Sequence, residues 1–321
     1  IDDSHQKIML EKDKKLKLNP RLKSLLYRGL VKSYEDQNNF DEAYKFLKLS
    51  NNFRNSLINK NLITDEINKF KKIKEIFLEI NSYKLSPKNI CNKKIIFIVG
   101  LPRSGTTLIH QLIEASTQAD GLGESPILNR NLNNLLKLKK LNKNFVKNLI
   151  KNINNEYEKS SQKKILIDKL PINFYWIGII KILLPYSKVV HVNRNLKDVA
   201  LSIYKNMFGS NDMDWSYDEE NIFKFIKNYK EIMFFWKQLY PDFIYDIHYE
   251  KLINNKNEES KKLFKFCDLI WNENIFNFYK AGKRIKTASI SQVKKPIYTK
   301  SINSSDKYIG KMTFLKKIEK I

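Results

Sequence analysis

The chain has 321 residues and a hydrophobic fraction of 42%, enough for a substantial core and a small extra domain. Lys and Arg outnumber Asp and Glu by 59 to 34, which gives a formal net charge of +25. Two cysteines (Cys91, Cys267) and four histidines (His5, His110, His191, His248) lack metal-ligand spacing and leave room for one disulfide at most, which excludes a disulfide framework or a zinc-ribbon fold.

Residues 1 to 90 read as helix after helix, with no convincing strand. Within them Tyr27, Leu30, Tyr34, Ala43 and Leu47 sit where a tetratricopeptide helix pair keeps its packing residues. Asn38-Asn39 supplies the turn, since Asn tolerates left-handed backbone. A single repeat cannot bury its own faces, so the segment reads either as the last repeat of a truncated or degenerate array or as a plain helical hairpin.

From Lys93 onward short apolar runs alternate with helical patterns: residues 95–99, 165–167, 189–192 and 243–245. Runs apolar on both faces suit a parallel sheet covered by helices, and the alternation predicts a doubly wound α/β domain. Residues 127–163, rich in Lys, Asn and Leu, read as helices rather than linker. The apolar stretch from Phe174 to Val192 is interrupted by Lys181 and Pro185, so it predicts a helix followed by a buried strand. A membrane span would need roughly 20 predominantly apolar residues. The expected division is a helical, tetratricopeptide-like region over 1–90 and an α/β domain over 91–321.

The first strand runs into Gly100-Leu101-Pro102-Arg103-Ser104-Gly105-Thr106-Thr107 and then an apolar helical run, Leu108 to Ile113. Strand, glycine-bounded loop and helix together cradle phosphate, because backbone N–H groups and the helix N-terminus converge on the anion. Gly100 and Gly105 keep the spacing of the nucleotide loop G-x-x-x-x-G-K-[ST], but Thr106 stands where that loop has Lys, and Arg103 puts a cation inside it. A loop for ATP uses that Lys on the β- and γ-phosphates. Downstream, Arg194 leaves the end of a predicted buried strand, and Ser202 follows eight residues, about two helical turns, later. His110 falls inside the helix after the loop and His191 in mid-strand, which predicts packing roles for both.

Together these segments resemble the PAPS-dependent sulfotransferase family, nearest in pattern to the tetratricopeptide-linked bacterial and the protein-tyrosine sulfotransferases. PAPS is 3′-phosphoadenosine 5′-phosphosulfate, which has no γ-phosphate and carries a 3′-phosphate that ATP lacks. Residues 102–107 are similar to the family's 5′-phosphosulfate loop, and Arg194 with Ser202 to its 3′-phosphate motif. Gly123-Glu124-Ser125 resembles the segment carrying the catalytic base of the tyrosine sulfotransferases, which gives that role to Glu124. Asp168-Lys169-Leu170-Pro171 resembles the segment whose Lys contacts the transferring sulfonate. His248-Tyr249-Glu250-Lys251-Leu252 resembles a strand-end motif whose Tyr approaches the adenosine portion. The stretch from Ser289 through Gln292, Val293, Lys294 and Lys295 to Tyr298 resembles a loop closing over the cofactor, with Ser289 at a sulfonate-contacting position.

The resemblance covers roughly residues 93–310 and implies a sulfotransferase with PAPS as co-substrate, no metal, and an acceptor that is a protein tyrosine, a glycan hydroxyl or a small metabolite. Arg103, Ser104, Gly105, Thr106, Thr107, Arg194, Ser202 and Tyr249 would bind the cofactor, while Glu124, Lys169, Arg103 and Ser289 would serve the transfer. Departures stand beside it: Asn303-Ser304-Ser305 replaces a basic residue and a Trp after the last motif, with Lys307 as the nearest cation. Leu122 stands where tyrosine sulfotransferases have a disulfide cysteine, and Pro126 and Ile127 occupy the place of the Arg after their Glu.

Three other readings compete. A P-loop kinase or NTPase would use Asp168, at the end of an apolar strand, on magnesium. A non-enzymatic scaffold would bind protein through the helical N-terminus. A nucleic-acid binder would rest on charge alone, with no reading motif; Lys, Asn and Ile crowd every part of the chain while Arg is scarce, which reads as coding bias. The expected partners are therefore the acceptor and a protein contact through the N-terminal helices, with no specific nucleic acid and no membrane span. Cysteine usage fits a reducing compartment, and with the resemblance the expected setting is the cytoplasm of a bacterium. The sequence begins at Ile1 rather than Met, so the expectation leaves room for an upstream targeting segment.

Overall fold

Ile95, Ile96, Phe97, Ile98 and Val99 are each no more than 1% exposed, so this run is covered on both faces and forms the central strand of a parallel sheet. The computed structural model describes residues 4–58, 62–85, 91–138, 140–209, 211–280, 296–297, 299 and 301–321. Ser289, Gln292, Val293, Lys294 and Lys295 lie outside the described residues. The strands are β1 (Lys94–Gly100), β2 (Asp120–Gly121), β3 (Ile165–Asp168), β4 (Lys188–Asn193) and β5 (Ile244–His248), in the order β2-β3-β1-β4-β5. Every pairing is parallel, with Phe97 opposite both Asp168 and Val189.

In a parallel sheet all strands end on one edge, and ligands bind in the crevice beyond that edge. Gly100, Asp168, Asn193 and His248 are the last residues of their strands. The residues that follow them carry four of the segments singled out above.

Packing divides the chain into two compact units. One, residues 67–195 and 228–300, holds the sheet. Its helical cover includes an aromatic layer in which Phe77 meets Trp236 edge-on at 5.0 Å and Phe70 meets Tyr175 at 4.9 Å. The expected helices over 127–163 are present as Ile127–Leu132 and Lys143–Lys159, joined through a 3-10 turn. The stretch from Phe174 to Val192 becomes a 3-10 turn, the helix Ile177–Leu183 and β4. No described helix is long and apolar enough to cross a membrane. Cys91 and Cys267 are both free and buried.

The other unit, residues 1–66, 196–227 and 301–321, is helical. Pro20–Asp36 and Phe40–Asn55 form a hairpin whose turn uses Asn38 in the left-handed region (φ 57°). Leu30, Ala43 and Leu47 are fully buried in it, and Phe46 packs on Tyr27 and Tyr34 at 5.3 and 5.5 Å. The helix Leu196–Tyr204 is tied in at both ends. Its buried Asp198 accepts from the N–H groups of Asn303 and Ser305, each at 2.8 Å. The carbonyl of Tyr204 accepts from Arg28 and Asn51, which satisfies an otherwise orphaned helix end.

One strand differs from expectation. The apolar run 243–245 predicts a strand there, but Phe243 closes a 3-10 turn begun by Pro241, and the strand runs on to His248. Asp246 hid its second half by breaking the apolar pattern. That carboxylate is stabilised by a 2.7 Å bond from Lys237 and by a bond from His191 on β4.

Candidate active site

The turn after β1 departs from ordinary backbone at three places: Gly100 (φ 152°), Arg103 (φ 71°) and Gly105 (φ 104°). A Cβ on Gly100 would lie 2.8 Å from the Val192 carbonyl oxygen and 2.9 Å from Ser104 Oγ, so the loop folds hard against the end of β4. Arg103 holds a left-handed conformation without glycine's freedom, at a cost of about 1–3 kcal/mol met by its surroundings. The helix Thr106–Ala115 then starts at Gly105 with no side-chain cap, leaving its first N–H groups to face the loop. Ser104 is 1% exposed and its Oγ has no hydrogen-bond partner among the described residues. A buried hydroxyl in that state costs about 1–3 kcal/mol, which an oxyanion in the loop would offset.

Two other strand ends meet this loop. Arg194, just past β4, donates from Nη1 to the Arg103 carbonyl at 2.9 Å, and its guanidinium lies 4.6 Å from the centre of the Tyr249 ring. Tyr249 opens the short helix after β5 and lays its ring on Gly105, where an added Cβ would come within 2.5 Å of Cδ2. The Asn195 N–H donates to Glu250 at 2.9 Å and ties the two turns together. Loop, Arg194 and Tyr249 thus form one cluster. Ser202 is half-buried on the helix Leu196–Tyr204 of the helical unit.

On the other side of β1, the edge strand and β3 bring Glu124 and Lys169 together. The Leu122 N–H donates to the Ile167 carbonyl and the Lys169 N–H to the Gly123 carbonyl, each at 2.9 Å, continuing the β2–β3 pairing past its last strand residue. Gly123 turns the chain at φ 66° and presents Glu124. Lys169 Nζ donates to Glu124 Oε1 at 2.6 Å, with the Lys side chain 1% exposed and the Glu side chain 41% exposed. Burial lowers the ammonium's pKa, and Glu124 opposes that shift.

Asp168, next to it, is fully buried. Its oxygens accept from the Tyr157 hydroxyl at 2.7 Å and Asn173 Nδ2 at 3.1 Å. Burial pushes its carboxyl up to about 7, with those two donors and the Leu170 N–H pulling the other way. A carboxylate so enclosed anchors the turn that aims Lys169. Tyr157 and Asn173 were not singled out by sequence; nothing distinguishes Tyr157 among the chain's 16 tyrosines except helical periodicity. His110 packs as expected, with Nε2 3.8 Å from Glu114 and its ring against Gly121 of β2.

The profile of the Sulfotransferase family matches residues 96–273. An uncharacterized protein of Aquifex aeolicus (strain VF5) is 30% identical over 305 residues, 87% of this chain, and the alignment spans 39% of that relative's length. A Caenorhabditis briggsae protein, named provisionally a protein-tyrosine sulfotransferase, is 26% identical over 66% of this chain and 80% of its own length. Among solved structures, the sulfotransferase domain of the Synechococcus PCC 7002 olefin synthase is similar over 69% of this chain and 90% of that domain, with 18% identity and a TM-score of 0.48.

Proposed function

Because the chain belongs to the sulfotransferase family, we propose that it transfers a sulfonate group from PAPS to an acceptor hydroxyl, with Glu124 as general base. The observation that carries the reading is the meeting of Arg194 with the phosphate loop, through the Arg103 carbonyl at 2.9 Å and the Tyr249 ring that lies on Gly105. An arginine held against this loop is placed beside a 5′-phosphate to meet a second anion, and a donor with a 3′-phosphate carries one. The orphaned Ser104 hydroxyl and the uncapped helix start fit the 5′-phosphosulfate end.

The donor supplies a sulfonate bound through a bridging oxygen to its 5′-phosphate. Glu124 accepts the acceptor's proton as the hydroxyl oxygen attacks sulfur. Lys169, Arg103 and the loop N–H groups oppose the negative charge that grows on the departing oxygen. Fixed cations do this work, so the scheme calls for no metal. Ser202, Ser289, Gln292, Val293, Lys294 and Lys295 keep the roles the resemblance gives them.

The acceptor is a protein tyrosine, a glycan or a small metabolite. The nematode relative's name favours tyrosine, while Pro126 and Ile127, in place of a basic residue after the Glu, weigh against an acidic tyrosine peptide. The helices of residues 1–90 are read as a tetratricopeptide-like surface for protein contact, and residues 91–321 as the transferase domain of a cytoplasmic bacterial protein. An NTPase reading is weaker: the loop lacks its Lys, and both oxygens of Asp168, its magnesium candidate, are engaged by Tyr157 and Asn173.

Incubation with sulfur-labelled PAPS and fractionated bacterial extract tests the proposal. Wild type should move label onto an acceptor, and Glu124→Gln should lose at least a hundredfold in rate, the lower range of general-base contributions being about 10²-fold, while still binding nucleotide. Equal labelling by the two proteins would remove Glu124 from the mechanism.

A further inference from the structure

His191 and Asp246 are directly opposite each other on β4 and the edge strand β5. His191 is 4% exposed and Tyr229, on the helix Glu219–Leu239, is 5% exposed. Asp246 Oδ1 is bonded to His191 Nδ1, and Lys237 Nζ donates to Asp246 Oδ2 at 2.7 Å. His191 Nε2 is bonded to the Tyr229 hydroxyl. The Tyr229 oxygen faces the backbone N–H of Leu101, the second residue of the phosphate loop.

The donors and acceptors line up in one direction only. Burial lowers the pKa of His191, with Asp246 opposing, so the ring is neutral. Its Nδ1–H donates to the Asp246 carboxylate, which leaves Nε2 as an acceptor. Burial raises the Tyr229 phenol far above its ordinary range, so it stays protonated and donates to Nε2. Its oxygen is then free to accept from Leu101. Every member is satisfied, and such a chain rigidifies what it ends on.

We propose that Tyr229 and His191 are positioning residues for the nucleotide site, holding the phosphate loop at Leu101 in its bound form before any ligand arrives. The inference rests on the reading of this loop as the nucleotide's seat. Two features give the chain a purpose beyond packing. The loop it holds contains Arg103 in a left-handed conformation, which persists only where the surroundings over-determine it. Three residues past His191 stands Arg194, so the strand that anchors Leu101 also delivers the second anion-binding arginine. A pre-formed loop spares the ordering cost of binding.

The test combines calorimetric titration of the full chain with 3′,5′-adenosine bisphosphate and hydrogen exchange at the Leu101 amide. Tyr229→Phe keeps the ring and removes the hydroxyl. It should weaken nucleotide binding about tenfold, since an unmade buried hydrogen bond costs on that order, and speed exchange at Leu101 in the ligand-free protein. His191→Leu should act likewise, and His191→Gln, which keeps an acceptor toward the phenol, should recover most of the affinity. If Tyr229→Phe lowers only the melting temperature, with exchange and affinity as in wild type, the residues merely pack and the proposal is overturned. If Tyr229→Phe does not fold, the contrast between His191→Leu and His191→Gln decides: equal affinities overturn the proposal. Wild type that binds no nucleotide would refute the proposed function instead, and unchanged Leu101 exchange in the variants would refute loop positioning separately.

Discussion

Replacing Lys169 with methionine tests the proposed part of this residue in chemistry separately from its part in stability. The ammonium is almost wholly buried, and the carboxylate it faces at 2.6 Å is 41% exposed. Removing the Lys therefore does not strand Glu124 as a buried charge, because water can rehydrate it. Losing a pair with one exposed partner costs about 0–1 kcal/mol. Relieving the desolvation of a buried ion offsets that cost, since the penalty is on the order of several kcal/mol per ion. Methionine fills a similar volume with a flexible thioether. The variant should thus unfold within about 1 kcal/mol of wild type, or above it, which for a chain of this size is a shift of no more than about 2–4 °C. Turnover, by contrast, should fall about 10²–10³-fold, as when one charge-stabilising donor is removed from an acyl-transfer site. Differential scanning calorimetry and a PAPS-turnover assay on the same preparation read the two quantities. A drop of 10 °C with proportionate loss of activity would make Lys169 structural, and activity within a few-fold of wild type would remove it from the transfer.

Gly105→Ala forces a Cβ to within 2.5 Å of the Tyr249 ring at φ 104°. It should cost about 1–3 kcal/mol of stability and, by displacing the ring under Arg194, weaken 3′,5′-adenosine bisphosphate binding; thermal melts with and without that nucleotide would show both. Asp168 yields a pH prediction. Its folded carboxyl is raised to about 7, so it holds its proton more tightly than the unfolded chain does, and its contribution to stability is present at acid pH and lost as pH rises to 7. Urea titrations should show the stability of wild type falling relative to Asp168→Asn from the ordinary carboxylate range up to about pH 7, then levelling; a pH-independent difference would contradict the burial argument.

The central motif was legible because its causes are local. An apolar run, a glycine, a polar loop and a second glycine before a helix dictate strand, tight turn and helix start without help from distant chain. The strand β5 was legible only in part, since Asp246 is stabilised by partners on another strand and another helix. Tyr249 and Arg194 carried motif signals, yet their packing against Gly105 and the Arg103 carbonyl depends on three strands ending at one edge, which spacing does not encode. Tyr157 and Asn173 gave no signal beyond the helical periodicity at Tyr157. Their role exists only through the buried oxygens of Asp168, 11 and 5 residues away along the chain. The helical unit is likewise assembled from three separate stretches; residues 301–321 join it through contacts such as Tyr308 on Phe40 and Phe314 on Tyr204, between residues far apart in sequence.

Calorimetric titration of wild type with 3′,5′-adenosine bisphosphate, and in parallel with 5′-adenosine monophosphate and with ATP plus magnesium, addresses the pairing of phosphate loop and Arg194 directly. The bisphosphate should bind without a divalent cation, and at least tenfold more tightly than the monophosphate, because a charge-assisted bidentate contact to the 3′-phosphate accounts for about 1.4 kcal/mol or more. Binding of ATP with magnesium, together with indifference to the 3′-phosphate, would contradict it.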